Sequence, residues 1–286
     1  MYLNLCPPTI GIGIDPDRLV ELAARHGFGG VDLHLDRITT TDAARDAGKR
    51  VGDHGLKWGL FWLPADFVGS DNAAYQDGLK KLADLLPLVE AAGCARTYLH
   101  VWPASDAMDY AANVAHHVRR LATVVRLLND HGVRLGLEFL GPAHMRRGHR
   151  FEFVHTMAQA IDLGRAIGGD VGVVIDCFHW YAGGGTLDDL RRLLPTTRVV
   201  NVHANDAVAG RPRHEQQNLE RELPLATGLV DAPGVLRALR AVGYDGPVIA
   251  EPFEPNLSRL RQLTPDQCAA EVSAVMHRLM DASRQD

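Results

Sequence analysis

The alternation of short apolar runs with longer amphipathic stretches constrains this chain more than any other feature in it. The amphipathic stretches close on His26-Gly27, Ala92-Gly93, His131-Gly132, Ile167-Gly168 and Val242-Gly243, and a strand-like run follows each within a few residues. Glycine ends helices readily because it takes the left-handed backbone there without a Cβ penalty. Asp15-Pro16 and Thr264-Pro265 mark helix starts, each a capping side chain followed by a proline that suits the first turn. Strands are expected near 3–5 (continuing toward 14), 30–34, 57–62, 96–101, 133–138, 171–176, 198–203 and 247–251. Helices are expected near 16–27, 40–54, 72–92, 109–131, 152–167, 186–194, 231–243 and 265–282.

Eight strand–helix units in a row, with no linker or low-complexity stretch, predict an α/β fold: a (β/α)8 TIM barrel forming a single domain over 1–286. Crossovers of this length suit parallel strands. A chain of 286 residues can build one large core, although length alone also allows two domains. The alternative is an open doubly wound sheet, which gathers its ligand at one switch point.

Four of the apolar runs favour the closed ring. They read Arg134-Leu-Gly-Leu-Glu138, Val171-Gly-Val-Val-Ile-Asp176, Arg198-Val-Val-Asn-Val-His203 and Pro247-Val-Ile-Ala-Glu251. A continuous apolar run is a strand buried on both faces. A carboxylate or imidazole at its end is costly to bury unless it is paired or bound to a metal. A single such residue reads equally well as a satisfied polar cap on its strand. Four in succession, spread over the second half of the chain, point to one mononuclear site at the mouth of a barrel. Three carboxylates and one imidazole suit a single divalent cation, Mn2+ first, with Mg2+, Co2+ or Zn2+ as alternatives and Fe2+ also open. Such an ion leaves positions for two substrate oxygens and polarises a carbonyl, so proton transfer at the neighbouring carbon is the expected chemistry.

Several other residues are candidates for substrate contact. His179 follows Asp176 in Asp-Cys-Phe-His and is placed to reach a substrate oxygen or a second ion. Arg221 lies in an irregular stretch, 204–230, after the seventh strand, and its planar fork suits a hydroxyl or phosphate. His100, Trp102, Phe61 and Trp62 fall at the ends of the fourth and third strands, where they form either an apolar wall with one polar contact or ordinary core. The cluster His144, Arg146, Arg147, His149 and Arg150 reads as a solvated or interface loop, with a phosphate contact as the lesser alternative. Gly183-Gly-Gly185 lacks a P-loop lysine and reads as a flexible loop.

The formal net charge of −5 disfavours a nucleic-acid partner, which needs a basic face. No membrane-spanning run and no signal peptide are expected, and the scattered Cys6, Cys94, Cys177 and Cys268 suggest free thiols, so a cytoplasmic location is the expectation. The expected partner is a small-molecule sugar or polyol; a homo-oligomer stays open.

Taken together, Leu137-Glu-Phe-Leu-Gly-Pro142, Ile175-Asp-Cys-Phe-His-Trp180, Val202-His-Ala-Asn-Asp206, Arg221-Glu-Leu-Pro224 and Gly243-Tyr-Asp-Gly-Pro-Val-Ile-Ala-Glu-Pro252 resemble the xylose isomerase-like TIM-barrel superfamily, the sugar phosphate isomerase/epimerase group. The resemblance covers nearly the whole chain. Its likeness to ketose 3-epimerases implies a metal held by Glu138, Asp176, His203 and Glu251. It also implies that Glu138 and Glu251 form the acid/base pair on opposite faces of the reacting carbon, and that His179 and Arg221 contact substrate oxygens. The implied activity is a metal-dependent isomerase or epimerase of a keto-sugar or cyclitol. The alternative is a lyase or dehydratase of the same superfamily, inosose dehydratase-like or cleaving C-glycosides of 3-oxo sugars. An endonuclease IV-like enzyme and a non-catalytic subunit are lesser readings. One departure stands out: many relatives follow the Arg-x-x-Pro stretch with glycine, and here Leu225 follows Pro224, so a different loop fold and a weaker part for Arg221 are expected.

Overall fold

A computed structural model describes residues 1–285. Eight parallel strands make up the barrel: β1 Tyr2–Leu5, β2 Gly30–Leu33, β3 Lys57–Phe61, β4 Arg96–Val101, β5 Arg134–Phe139, β6 Val171–Asp176, β7 Val199–Ala204 and β8 Pro247–Ala250. Their spatial order is β3-β2-β1-β8-β7-β6-β5-β4, so sequence neighbours are neighbours in space. The two outer members meet where Thr97 Oγ1 donates to the Phe61 carbonyl at 2.8 Å and Trp62 packs on Tyr98 at 5.6 Å between ring centroids. The eight βα units therefore form the expected TIM barrel. The last residue of the expected domain, Asp286, lies outside the described residues.

The helices begin and end where local chemistry dictates. The helices are α1 Pro16–Arg25, α2 Thr41–Asp53, α3 Asn72–Ala92, α4 Tyr110–Asp130, α5 Met157–Ile167, α6 Cys177–Ala182, α7 Leu187–Leu193, α8 Ala232–Ala241, α9 Asn256–Leu260 and α10 Pro265–Ala282. Side chains of Asp15, Thr40, Asp71, Asp109, Thr156 and Thr264 accept from backbone N–H groups at helix starts. The glycines read as helix stops do take positive φ, for example Gly93 at 81° and Gly132 at 70°. Among the described residues no helix is long and apolar enough to cross a membrane.

Two boundaries and two short helices differ from the sequence expectation. The first strand stops at Leu5 instead of running toward 14, because Pro7-Pro8 lacks ladder donors and turns into a 3-10 helix over Pro7–Ile10. The fifth helix begins at Met157, not near 152. Thr156 and Gln159 form a capping box there, and Phe151–Glu152 is drawn off into a short antiparallel ribbon with Ala104–Ser105. The short α6 and α9 were not expected; α6 starts directly off β6 because the Asp176 side chain accepts from the His179 N–H at 2.9 Å.

Alternation along the strands separates two layers. Leu135, Leu137, Val173, Ile175, Val202 and Val248 pack outward against the helices in the main hydrophobic cluster. Between them Glu138, Asp176 and His203 turn into the barrel, above an inner layer containing Leu60, Tyr98 and Val174. Register then brings the polar ends level: Asp176 pairs with His203, His203 with Ile249, and His100 with Glu138.

A buried carboxylate–histidine cluster

Glu138, Asp176, His203 and Glu251 meet at the C-terminal mouth of the barrel, with one ligand atom from each lying within 4.8 Å of the others. Three sit on β5, β6 and β7. Glu251 follows β8 and is held there by its N–H, which donates to the Ala204 carbonyl at 3.0 Å. All four are buried. His203 aims Nδ1 inward, 3.2 Å from Glu138 Oε1, 3.4 Å from Glu251 Oε2 and 3.7 Å from Asp176 Oδ2. The Asn201 amide, 3.1 Å from Nε2, fixes the other edge of the ring.

The donor set fits a divalent cation on the structure's own terms. His203 Nδ1 and Glu138 Oε2 are buried and have no hydrogen bond of good geometry, although His203 Nδ1 stands 3.2 Å from Glu138 Oε1 and His100 Nε2 3.2 Å from Glu138 Oε2. Proximity without directed bonds is what a pre-arranged ligand set shows, since a cation satisfies lone pairs that no N–H addresses. The titration directions agree with strong mutual coupling. Burial raises the Glu138 carboxyl, but His203 and His100 outweigh that and hold it down to about 2. Burial likewise opposes ionisation of Asp176, and Arg221, His179 and His203 pull it well below the usual range. Burial lowers His203, yet Glu138 and Glu251 drive it well above its ordinary value. Glu251 is raised, burial outweighing His203 and Arg221.

Arg221 closes the cluster. It is buried, with Nη1 donating at 2.7 Å to both Asp176 Oδ2 and Glu251 Oε2, and its guanidinium lies 4.7 Å from the ring centroids of Phe178 and Phe253. Nε and Nη2 donate to the Asn218 carbonyl and side chain at 2.9 and 2.8 Å. The surrounding loop is ordered by Asp206, a buried carboxylate accepting from the N–H groups of Ala207, Thr227, Gly228 and Val230 and pairing its backbone with Glu222. The glycine-to-leucine departure leaves the turn in a glycine-type backbone, with Leu225 at φ 67°. The expected weakening of Arg221 does not follow from it, because Asp206 and Glu254, not the turn, tie the loop down.

His179 joins the cluster from α6. Its Nε2 lies 3.1 Å from Arg221 Nη2 and 4.0 Å from Glu138 Oε1, and its Nδ1 accepts from the Gly141 N–H at 3.3 Å. Only glycine fits at 141, since a Cβ there would stand 2.0 Å from the His179 carbonyl oxygen. Burial lowers His179 to about 4, so the ring is neutral near pH 7.

His100, Trp62 and Trp102 stand beside the cluster rather than in it. His100 Nε2 is 3.2 Å from Glu138 Oε2, and all three line an adjoining cavity together with Tyr98. For Phe61 the core alternative holds: it is fully buried in the hydrophobic core. The basic loop after β5 turns inward in part, Arg146 Nη1 donating to the Gly141 carbonyl at 2.7 Å. All four cysteines are buried and free.

A model of the xylose isomerase-like TIM barrel family matches residues 20–277. The chain belongs to that family. Among curated proteins it is similar to an inosose isomerase of Halalkalibacterium halodurans, 29% identical over 144 residues, which is 50% of this chain and 48% of that protein. It thus spans about half the length of the curated relatives it matches. Among solved structures, a xylose isomerase domain protein from Alicyclobacillus acidocaldarius superposes with a TM-score of 0.82 at 27% identity, covering 99% of this chain and 98% of that one. Two others share the fold: the IolI protein with a bound zinc atom (TM-score 0.77, 19% identity, 99% and 98% coverage) and L-ribulose 3-epimerase (0.69, 19%, 99% and 95%).

Proposed function

We propose that this protein is a divalent-metal-dependent isomerase or epimerase of a keto-sugar or cyclitol, acting by proton transfer at the carbon next to a carbonyl. The observation that carries the reading is the convergence of Glu138, Asp176, His203 and Glu251 within 4.8 Å, with unpartnered polar atoms at its centre. These four residues would hold the ion. When bound it supplies Lewis-acid polarisation of a carbonyl. Mn2+ is the first expectation; the zinc of the IolI protein keeps Zn2+ in the comparison.

The roles of the side chains follow from placement. In the strand order Glu138 and Glu251 stand at the two ends of the set, with Asp176 and His203 between them. One glutamate carboxylate can therefore take a proton from one side of a substrate carbon while the other returns a proton from the opposite side. Arg221 and the neutral His179 face the same space and would orient substrate oxygens, and the Phe178 and Phe253 rings beside Arg221 keep water from it. The kinship with an inosose isomerase makes inososes the first substrates to test, alongside ketoses, as small molecules met in the cytoplasm.

The test is Glu251→Gln in metal-loaded protein. Loss of a positioned acid/base group costs roughly 10²–10⁴ in rate. The variant is expected to fold, as read by circular dichroism, and to lose both turnover and exchange of the substrate α-proton with deuterated water. Appreciable activity in a folded variant refutes the acid/base assignment. The roomy cavity beside Glu138 favours one second reading, a lyase or dehydratase, because it leaves space for a departing group. A product lighter than the substrate would select it.

A further inference from the structure

Opposite Glu138 and Asp176 in the ring stand β1 and β2, and between them lies a buried polar pair that takes no part in the ligand cluster. Asn4 and Asp32 are each 2% exposed, and Asn4 Nδ2 donates to Asp32 Oδ1 at 2.8 Å. The same oxygen accepts from the Leu60 N–H at 3.1 Å. Asp32 takes that N–H at a break in the ladder, where the β2–β3 register shifts between Val31 and Leu33. Side chains therefore join three strands just before Phe61 and Trp62 reach the mouth.

The other two oxygens of the pair, Asn4 Oδ1 and Asp32 Oδ2, are buried and have no donor. An ionised carboxylate and an amide oxygen can only accept, so as an ion Asp32 would leave both bare. Among the described residues Asp32 forms no ion pair. A charge buried in this way is costly. One hydrogen removes both defects, since a proton on Oδ2 turns a bare acceptor into a donor beside another. It belongs on Oδ2 because Oδ1 already accepts twice. Turning the amide over does not help, because it sets Asn4 Oδ1 against Asp32 Oδ1, which has no hydrogen to offer. The pair lies against a glycine on the next strand: a Cβ at Gly59 would stand 2.6 Å from both Asn4 Oδ1 and Asn4 Nδ2, and closer still to Asp32 Oδ1.

We propose that Asp32 is a neutral carboxylic acid near pH 7 and donates from Oδ2 to Asn4 Oδ1, forming a reciprocal acid–amide pair whose single proton fastens β1 to β2 on the side of the barrel facing the ligand cluster. The titratable groups around it agree. Burial pushes up Tyr2, Cys6, Cys94 and Tyr98, which stay uncharged, and it raises Asp32 itself. His34, directly after β2, is the one basic side chain among these neighbours. Ionisation at alkaline pH strands a buried charge and sets two bare acceptors against each other, which makes this wall of the mouth sensitive to pH. The clasp does not rest on the proposed function.

The test is Asp32→Asn, which keeps both bonds to Oδ1 and offers an N–H where the acid offers its O–H. Urea unfolding of chelator-stripped wild type and variant is compared from about pH 5 to about pH 9. A carboxyl protonated in the fold and ionised in the unfolded chain loses stability as pH rises above its unfolded value of about 4, until its folded value is passed. The unfolding constant of the wild type should rise relative to that of Asp32→Asn by up to about tenfold per pH unit, and should still be rising at pH 7. Groups such as His203 act on both proteins alike and cancel in the ratio. A ratio that is flat or falling at pH 7 overturns the proposal. If the variant does not fold, wild type labelled with 13C at its aspartate carboxyls decides. One resonance at the protonated position is expected at pH 7, the label excluding the raised Glu251, and its absence refutes the neutral acid.

Discussion

Replacing Arg221 with methionine separates what the guanidinium does in the metal-free protein from what it does with an ion present. In the metal-free cluster it is a fixed cation shared by Asp176 and Glu251, fully buried, with both bonds at 2.7 Å. Removing one partner of a buried ion pair leaves uncompensated charge and costs about 3–5 kcal/mol. With a divalent ion bound, both carboxylates keep a cationic partner. What remains of the loss is the pair of Asn218 bonds and the packing between Phe178 and Phe253, about 1–2 kcal/mol after methionine refills part of that space. The two losses differ by about 2–3 kcal/mol.

A thermodynamic cycle turns that difference into a binding constant. If the substitution costs less in the loaded protein than in the stripped one, the variant must bind the metal more tightly by the same amount, roughly 30- to 150-fold. Urea unfolding in chelator and in saturating Mn2+ gives the stabilities, and competition with a chelating dye gives the affinity. Turnover should fall in the same variant, because a substrate oxygen loses its donor. Equal losses with and without metal, or a variant that binds metal more weakly, would refute the reasoning. Arg221 would then serve to arrange the carboxylates instead of standing in for the ion.

Four further outcomes follow. His203 is raised well above its ordinary value, so near pH 7 the metal-free protein holds the imidazole protonated; metal uptake should release about one proton, and affinity should climb up to about tenfold per pH unit until the raised pKa is passed, as calorimetry in buffers of different ionisation enthalpy would show. By the same sign, His203 stabilises the metal-free fold fully below pH 6.5, and denaturant midpoints in chelator should drop as pH rises through its folded value. Leu225→Gly relieves a left-handed backbone costing about 1–2 kcal/mol and adds about 0.5–1 kcal/mol of unfolded-chain entropy, so a net gain of about 0.5–1 kcal/mol is expected by chemical denaturation. Asp206→Ala strands four N–H groups and should cost about 3 kcal/mol or more and lower activity through Arg221, whereas Leu225→Gly should leave activity unchanged.

The four ligand candidates were legible because they stand in or directly after strands. Each strand turns alternate residues to one face, and parallel register in a ring brings the ends level, so Glu138, Asp176, His203 and Glu251 needed only correct strand limits to be assembled. Loops carry no such period. Arg221 could be singled out as a residue type, but its contacts with Asp176 and Glu251 depend on Asp206 and Glu254, which lie far from it in sequence or across the loop. Asn218 and Phe253 were missed for the same reason, and Phe178 because the short α6 that carries it was not expected.

The polar side chains of Asn113 and His117, which line the cavity beside Glu138, were missed for a different reason, since their signal is present in the sequence. On α4 the buried stripe runs Leu121, Val124, Val125 and Leu128, and four and eight residues before Leu121 the same stripe holds His117 and Asn113. Reading a helix for its apolar moment treats such residues as the fraying polar end of an amphipathic pattern. In a βα barrel, however, every helix begins at the end where its preceding strand stops, and that end carries the ligand site. A polar pair on the inward stripe of a helix's first turns therefore faces the catalytic rim, not solvent. The presence of Asn113 and His117 in the cavity that Trp62 and Trp102 also line is the consequence of that geometry, and it makes the polar start of an otherwise apolar stripe a place to look for ligand contacts in any chain of this architecture.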